Sequence, residues 1–263
     1  MLTFFLVCLL VGAIAGFLAG LFGIGGGLII VPILVYLLPM VGVPEPMLMA
    51  AALGTSFATI VITGFSSAQR HNKLGNVVWP VVKIIGPVIM ISTFISGLFI
   101  GKLPKDISSK IFACLVVYMA IKMILSIKPQ TVERVLTKTA AVVGGVLIGI
   151  ASSAAGIGGG GFIVPFLNSR GIDIKKAIGS SAFCGMLLAT SGMLSFIIGG
   201  WNVEGMPPYS LGYVYFPAVF GITLSSFFTS KLGASAVSKL PVPVLKKAFA
   251  IFLICIAINM FIR

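Results

Sequence analysis

An all-helical polytopic membrane protein built from two copies of one repeat is the fold class that this sequence predicts, on three observations. Of its 263 residues 59% are hydrophobic and 9% charged, against about 25% charged in a typical soluble domain. Ten apolar stretches of helical length follow one another along the chain. The landmarks of the first half recur in order in the second. So few charges cannot cover a water-facing surface, which excludes an ordinary soluble enzyme or a secreted globular domain. The net charge of +13 does not read as nucleic-acid binding: only 4 of the 18 basic residues are Arg, and no basic run is interleaved with stacking aromatics.

The first stretch, 2–22, has the look of a secretion signal but lacks the basic N-terminal region of one. Its Gly12 and Gly16 recur as Gly145 and Gly149, which marks it as a working helix. The second, 26–39, is too short to cross, since a crossing takes about 20 residues, and it follows a glycine cluster. Full spans are expected over 47–69, 77–100 and 107–127. The second half repeats this order as 138–155, the short 159–169, 176–199, 211–236 and 242–262. The expectation is thus about eight full spans and two short half-helices. The repeats are 1–127 and 138–263, joined by a cytoplasmic linker at 128–137. Cys8, Cys114, Cys184 and Cys255 all lie in apolar runs and read as small buried hydrophobes. Neither they nor the single His71 suggest a metal site or a cofactor.

The repeat is specific. GLFGIGGGLIIVPIL at 20–34 matches SAAGIGGGGFIVPFL at 153–167, an offset of 133 that carries Pro32 onto Pro165. ALGTS at 52–56 matches AIGSS at 177–181 at an offset of 125, and LGNVVWP at 74–80 matches LGYVYFP at 211–217 at 137. With five crossing segments per half the second repeat is inverted. With four, the short segment being a hairpin arm, the repeats are parallel. Five crossings leave Lys102, Lys105, Lys110 and Arg263 on one side and the other 14 of 18 basic residues opposite, whereas four crossings split them 10 to 8. Basic residues collect on the cytoplasmic side, so the charge pattern favours inversion with both termini outside; the parallel arrangement stays as the alternative.

A short helix that starts after consecutive glycines inside a bilayer has a physical use. Glycine allows an unwound backbone and close approach of a ligand. The helix start then offers unpaired N–H groups and partial positive charge, an anion site. Transporters with inverted repeats place such broken helices near the midplane. The candidate binding residues are therefore Gly23, Gly25, Gly26 and Gly27 with Gly156, Gly158, Gly159 and Gly160. The hydroxyls of Thr55, Ser56, Ser180 and Ser181 are candidate helpers. Ser152 and Ser153 precede the second cluster. Unwound carbonyls can also hold a cation, so geometry alone leaves the sign of the ligand open. The spacing of Gly12/Gly16 and Gly145/Gly149 reads as helix packing. Arg70 and Arg170 are weaker candidates for the cytoplasmic mouth, Arg70 in the polar loop 69–76. No Asp or Glu falls in the middle of a span, which disfavours a carboxylate proton relay and suits an anion better than a cation. Enzyme motifs are absent from the sequence, so an enzyme is not expected.

These residues resemble the TauE/SafE family of sulfite exporters. The resemblance rests on GLFGIGGGLIIVPIL, the ALGTS segment, RHNKLGNVVWP and the second-half GIGGGGFIVPFL, and covers nearly the whole chain. It implies export of a small sulfur oxyanion or organosulfonate, such as sulfite or sulfoacetate, across the bacterial inner membrane. The expected partners are that anion and the lipid bilayer, with no nucleic acid; oligomeric state is not legible. An anion channel, or a non-transporting subunit that binds a soluble partner through its basic loops, are the alternatives.

Overall fold

The computed structural model describes residues 2–22, 26–125 and 136–236, together with 250, 251, 253–255, 257 and 258. Its elements are α1 (Leu2–Phe22), the short α2 (Gly27–Leu37), two 3₁₀ turns (Leu38–Val41 and Glu45–Met47), α3 (Leu48–Lys73), α4 (Trp79–Ile100), α5 (Lys105–Leu125), α6 (Lys138–Ala155), the short α7 (Gly160–Asn168), α8 (Ile174–Gly199), a small hairpin of β1 (Ser210–Leu211) and β2 (Val214–Tyr215), and α9 (Phe216–Ala236). Most of the expected tenth stretch, most of the linker at 128–137, and Gly23 and Gly25 lie outside the described residues.

Five described helices are long and apolar enough to cross a membrane: α1, α3, α4, α6 and α8. α5 and α9 match α1 at 21 residues each. However, α5 opens with Lys105, Asp106 and Lys110, and α9 carries a run of hydroxyls. The surface is apolar in stripes spaced by four: Leu6, Leu10 and Ile14 on α1; Ile91, Ile95 and Phe99 on α4; Phe220, Leu224, Phe228 and Leu232 on α9. Meanwhile Thr55, Ser56, Thr59, Ser66, Ser152, Ser180, Ser181 and Ser195 are buried. Apolar outside and hydroxyl-lined inside is the arrangement hydrocarbon selects.

The two halves pack by exchanging partners. α1 lies along α9 and its repeat equivalent α6 along α4; α3 packs on α9 and α8 on α4. The same positions make these contacts. A Cβ on Gly16 would meet Ser226 and Thr229, and one on Gly149 would meet Ile89 and Ser92; both pairs of targets differ by the 137 offset. Ser66 Oγ donates to Phe227 O, and its equivalent Ser191 Oγ donates to Met90 O. At the centre α3 packs on α8, the start of one against the end of the other: Gly54 against Phe196, Gly192 against Phe57, Gly64 against Met186. Equivalent helices thus run antiparallel, as inversion requires. Among the described basic residues, Arg70, Lys73, Lys83, Lys122, Lys138, Arg170, Lys175, Lys176 and Lys231 fall towards the face where α3 ends. Lys102, Lys105 and Lys110 sit at the other, where Lys105 pairs with Glu45.

Two boundaries differ from the sequence reading. α3 runs on to Lys73, so Arg70 and His71 stand on its last turns rather than in a loop. Gly75, at φ 70°, makes the turn after it while Asn76 N–H closes on His71 O. The segment 211–215, expected as the start of a helix, is hairpin instead. Gly212 at φ 56° turns it, against Ile197 O.

The close crossings make a stability prediction. A side chain at Gly149 would put its Cβ 1.8 Å from Ser92 Oγ and 3.1 Å from Ile89 O, whereas one at Gly199 meets only Leu98 at 3.9 Å. Gly149→Val is expected to cost about 1–3 kcal/mol from overpacking, and Gly199→Ala to stay near wild type. Thermal unfolding of the purified variants in detergent measures both.

Candidate functional site

Each short helix begins at a left-handed glycine, α2 after Gly26 (φ 81°) and α7 after Gly159 (φ 73°). Side chains other than glycine are strained there, so the glycine runs are what let the chain reverse inside the core and start a helix. Neither start has a side-chain cap. The first bonds run from Ile29 and Ile30 N–H to Gly26 O, and from Phe162 and Ile163 N–H to Gly159 O. The amides of Gly27, Leu28, Gly160 and Gly161 precede them and have no intrahelical acceptor. They stand at the positive ends of two helix dipoles. Gly26, Gly27, Leu28 and Gly156 to Gly160 are all buried.

The structure brings the two clusters together. A Cβ on Gly27 would lie 2.1 Å from Gly156 O and 3.0 Å from Ile157 Cα. Gly158 O lies 2.1 Å from the Cβ position of Gly185 on α8. Gly156 itself, at φ 60°, would drive a side chain into Leu53 and Val31. Backbone therefore meets backbone where the halves cross, at distances that only glycine permits.

The hydroxyls have defined structural work. Tyr215 N–H donates to Thr55 Oγ1 at 3.0 Å, and Val78 N–H donates to Ser180 Oγ at 2.9 Å. Each half thereby clamps the segment leading into the other half's fourth helix. Ser56 Oγ donates to Gly156 O at 2.8 Å, tying α3 to the opposite glycine cluster, and Ser181 is fully buried. A hydroxyl that accepts one bond still has its proton to give, so Thr55 and Ser180 keep donor capacity. At the basic face, Arg70 Nε donates to Ser235 Oγ at 3.2 Å, and the Arg170 guanidinium lies 5.6 Å from the Phe166 ring. Arg70 thus reaches across to α9, whereas Arg170 folds back on the end of α7.

Beside the glycine centre is a cavity of about 10 Å³, bounded by Ala19, Thr63, Ser67, Gly158, Ala182 and Gly185 among others, with room for about one water. Ser67 Oγ is buried there without a hydrogen-bond partner among the described residues. Thr63 and Ser67 escaped the sequence reading because neither stands in a repeated motif. The signal that exposes them is the reverse: their repeat equivalents, Leu188 and Gly192, are apolar.

The family model described as sulfite exporter TauE/SafE matches residues 8–260. The chain belongs to the sulfite exporter TauE/SafE family. A probable membrane transporter protein of Haemophilus influenzae is 72% identical over 100% of both chains. One of Methanocaldococcus jannaschii is 31% identical over 86% of this chain and 83% of its own. One of Bacillus subtilis is 25% identical over 96% of this chain and 95% of its own. No solved structure matches. This TauE/SafE chain is thus a multi-pass membrane protein of a transporter family, and its paired glycine-started helices are the feature that sequence and structure single out together.

The clamps make the second prediction. Thr55→Val leaves the buried amide of Tyr215 without its acceptor, at a cost of about 1–3 kcal/mol, and Ser180→Ala does the same to the half-buried amide of Val78, at the lower end of that range. Thr55→Ser keeps the acceptor and is expected to melt near wild type. Unfolding that ignores all three would show that the clamps contribute nothing to the fold.

Proposed function

We propose that this chain is a secondary transporter that exports small sulfur-containing anions, sulfite or an organosulfonate such as sulfoacetate, across the bacterial inner membrane by alternating access. One observation carries the reading: two short helices, one per repeat, start uncapped from buried left-handed glycines whose clusters abut at the crossing of the halves. Such starts hold an oxyanion through backbone N–H groups without placing a charged side chain in hydrocarbon. Gly26, Gly27, Gly158, Gly159 and Gly160 form the cradle, with Gly23 and Gly25 completing the first cluster. Thr55, Ser56, Ser180 and Ser181 brace it, and Thr55 and Ser180 supply further donors.

The basic face, where α3 ends, is the cytoplasmic one in this reading, with both termini outside. One half moves against the other about the centre. A negative cell interior favours outward movement of an anion by about 2.3 kcal/mol per charge per 100 mV. Export therefore needs no coupling ion.

Sulfite flux in proteoliposomes at imposed potentials tests this. The expected result is saturable flux that rises as the compartment facing the basic loops is made more negative and is stimulated by sulfite on the far side. Flux that neither saturates nor shows trans-stimulation would indicate a channel. No flux with any small sulfur anion would end the transporter reading.

A further inference from the structure

The inverted repeat gives the glycine centre two approaches, one from each face, built from equivalent positions. At those positions the residues are unlike. On the approach from the basic face stand Thr63, Ser67, His71 and Asn76, with Ala182 across from them on α8. Their repeat equivalents are Leu188, Gly192, Phe196, Tyr213 and Phe57. One approach is polar and small; the other is aromatic.

The packing follows the composition. On the basic side, Ala182 leaves the cavity that Ser67 and Gly158 share. Thr63 Oγ1 donates to Thr59 O within its own helix, and Ser67 Oγ has no partner among the described residues. His71, one turn further along, is 1% exposed. The backbone of Gly20 approaches its ring without closing an ordinary hydrogen bond, so neither ring nitrogen has a geometric partner among the described residues. These are polar groups with unmet hydrogen-bonding capacity, buried in a row along α3. Such groups are costly unless something else satisfies them.

On the other side the equivalent space is full. The Phe57 ring comes within 2.9 Å of the Cβ position of Gly192, a fit that only glycine permits. Phe57 and Phe196 have ring centroids 5.9 Å apart, and Phe196 and Tyr213 6.5 Å. Gly54, Gly97 and Gly101 of the surrounding helices pack close on Phe196. Two unpartnered hydroxyls remain in this half as well, Ser152, at the position equivalent to Ala19, and Ser210 in the hairpin.

We infer that the two approaches are held in opposite states: the small anion reaches the glycine centre from the basic face along Thr63, Ser67 and His71, while Phe57, Phe196 and Tyr213 seal the approach from the opposite face. This assignment rests on the transport reading for its ligand, but the asymmetry itself does not. Ser67 Oγ–H and a His71 ring N–H are donors that replace water around an oxyanion in transit. The Phe57 and Phe196 rings offer an anion no hydrogen-bond donor, and movement of the halves must part the stack before the ion leaves.

Site-resolved thiol labelling tests the inference independently of any transport assay. Thr63→Cys and Leu188→Cys occupy equivalent positions; the first is close in size to the residue replaced, and the second is smaller than the buried Leu188, which favours access to it and so works against the expected result. A small anionic methanethiosulfonate is applied to vesicles of each orientation, and modification is read at each cysteine by peptide mass spectrometry, so the four native cysteines stay in place. Thr63→Cys is expected to react from the face that carries Arg70, at least about tenfold faster than Leu188→Cys reacts from either face. Adding Phe57→Ala to Leu188→Cys is expected to bring its rate up from the opposite face only. Equal rates at Thr63→Cys and Leu188→Cys would overturn the inference, and so would two inert positions. Should Phe57→Ala fail to fold, the Thr63/Leu188 comparison decides alone, with Ser67→Cys as its replicate. Absence of sulfite flux alongside the expected labelling would count against the substrate and leave the asymmetry standing.

Discussion

Everything in this fold depends on how a polypeptide can interrupt a helix inside hydrocarbon. Backbone N–H and C=O groups there have no water to turn to, so a break survives only if it is buried against protein. This chain buries each break against the other half. Gly27 abuts Gly156, Gly156 packs on Leu53 and Val31, and Ser56 binds Gly156 O. Each of these contacts joins one half to the other at a break. The exchanged packing of α1 with α9 and α6 with α4, and the reciprocal clamps at Thr55 and Ser180, join the halves further.

Two-fold packing also explains what the centre offers chemically. The start of α2 abuts the Gly156–Ile157 segment that leads into α7, and both helices start with amides unused by their own turns, in a region without carboxylates. Among the described residues, the cavity beside the glycines has room for about one water. In the proposed transport reading, relative movement of the halves makes room there for an anion. The glycine contacts are well suited to such movement, because backbone against backbone has no side chains to repack.

Much of the architecture was legible in the sequence. The duplicated GIGGG clusters located both short helices, and the offsets of 133, 125 and 137 relate the residues that make equivalent contacts. The skew of basic residues selected the antiparallel arrangement seen between α3 and α8. Other features were not legible, for physical reasons. The continuation of α3 through Arg70 and His71 depends on a left-handed Gly75 that a polar run does not announce. The hairpin at 210–215 depends on Gly212 fitting against Ile197 O, a tertiary contact. Thr55 and Ser180 read as possible ligand donors because sequence shows a hydroxyl and not the amide that it accepts. The polar row at Thr63, Ser67 and His71 lies where the two halves differ, so no repeated motif marks it.

The central claim is that backbone at the meeting glycines holds a small anion. The most direct measurement is calorimetric titration of sulfite into the purified protein in detergent, wild type against Gly158→Ala, with Gly199→Ala as the control. Gly158 lines the central cavity, whereas Gly199 has open surroundings. The account predicts that Gly158→Ala weakens sulfite binding by about tenfold or more, a loss of about 1.4 kcal/mol, and that Gly199→Ala leaves it unchanged. Equal affinity in all three proteins would contradict it.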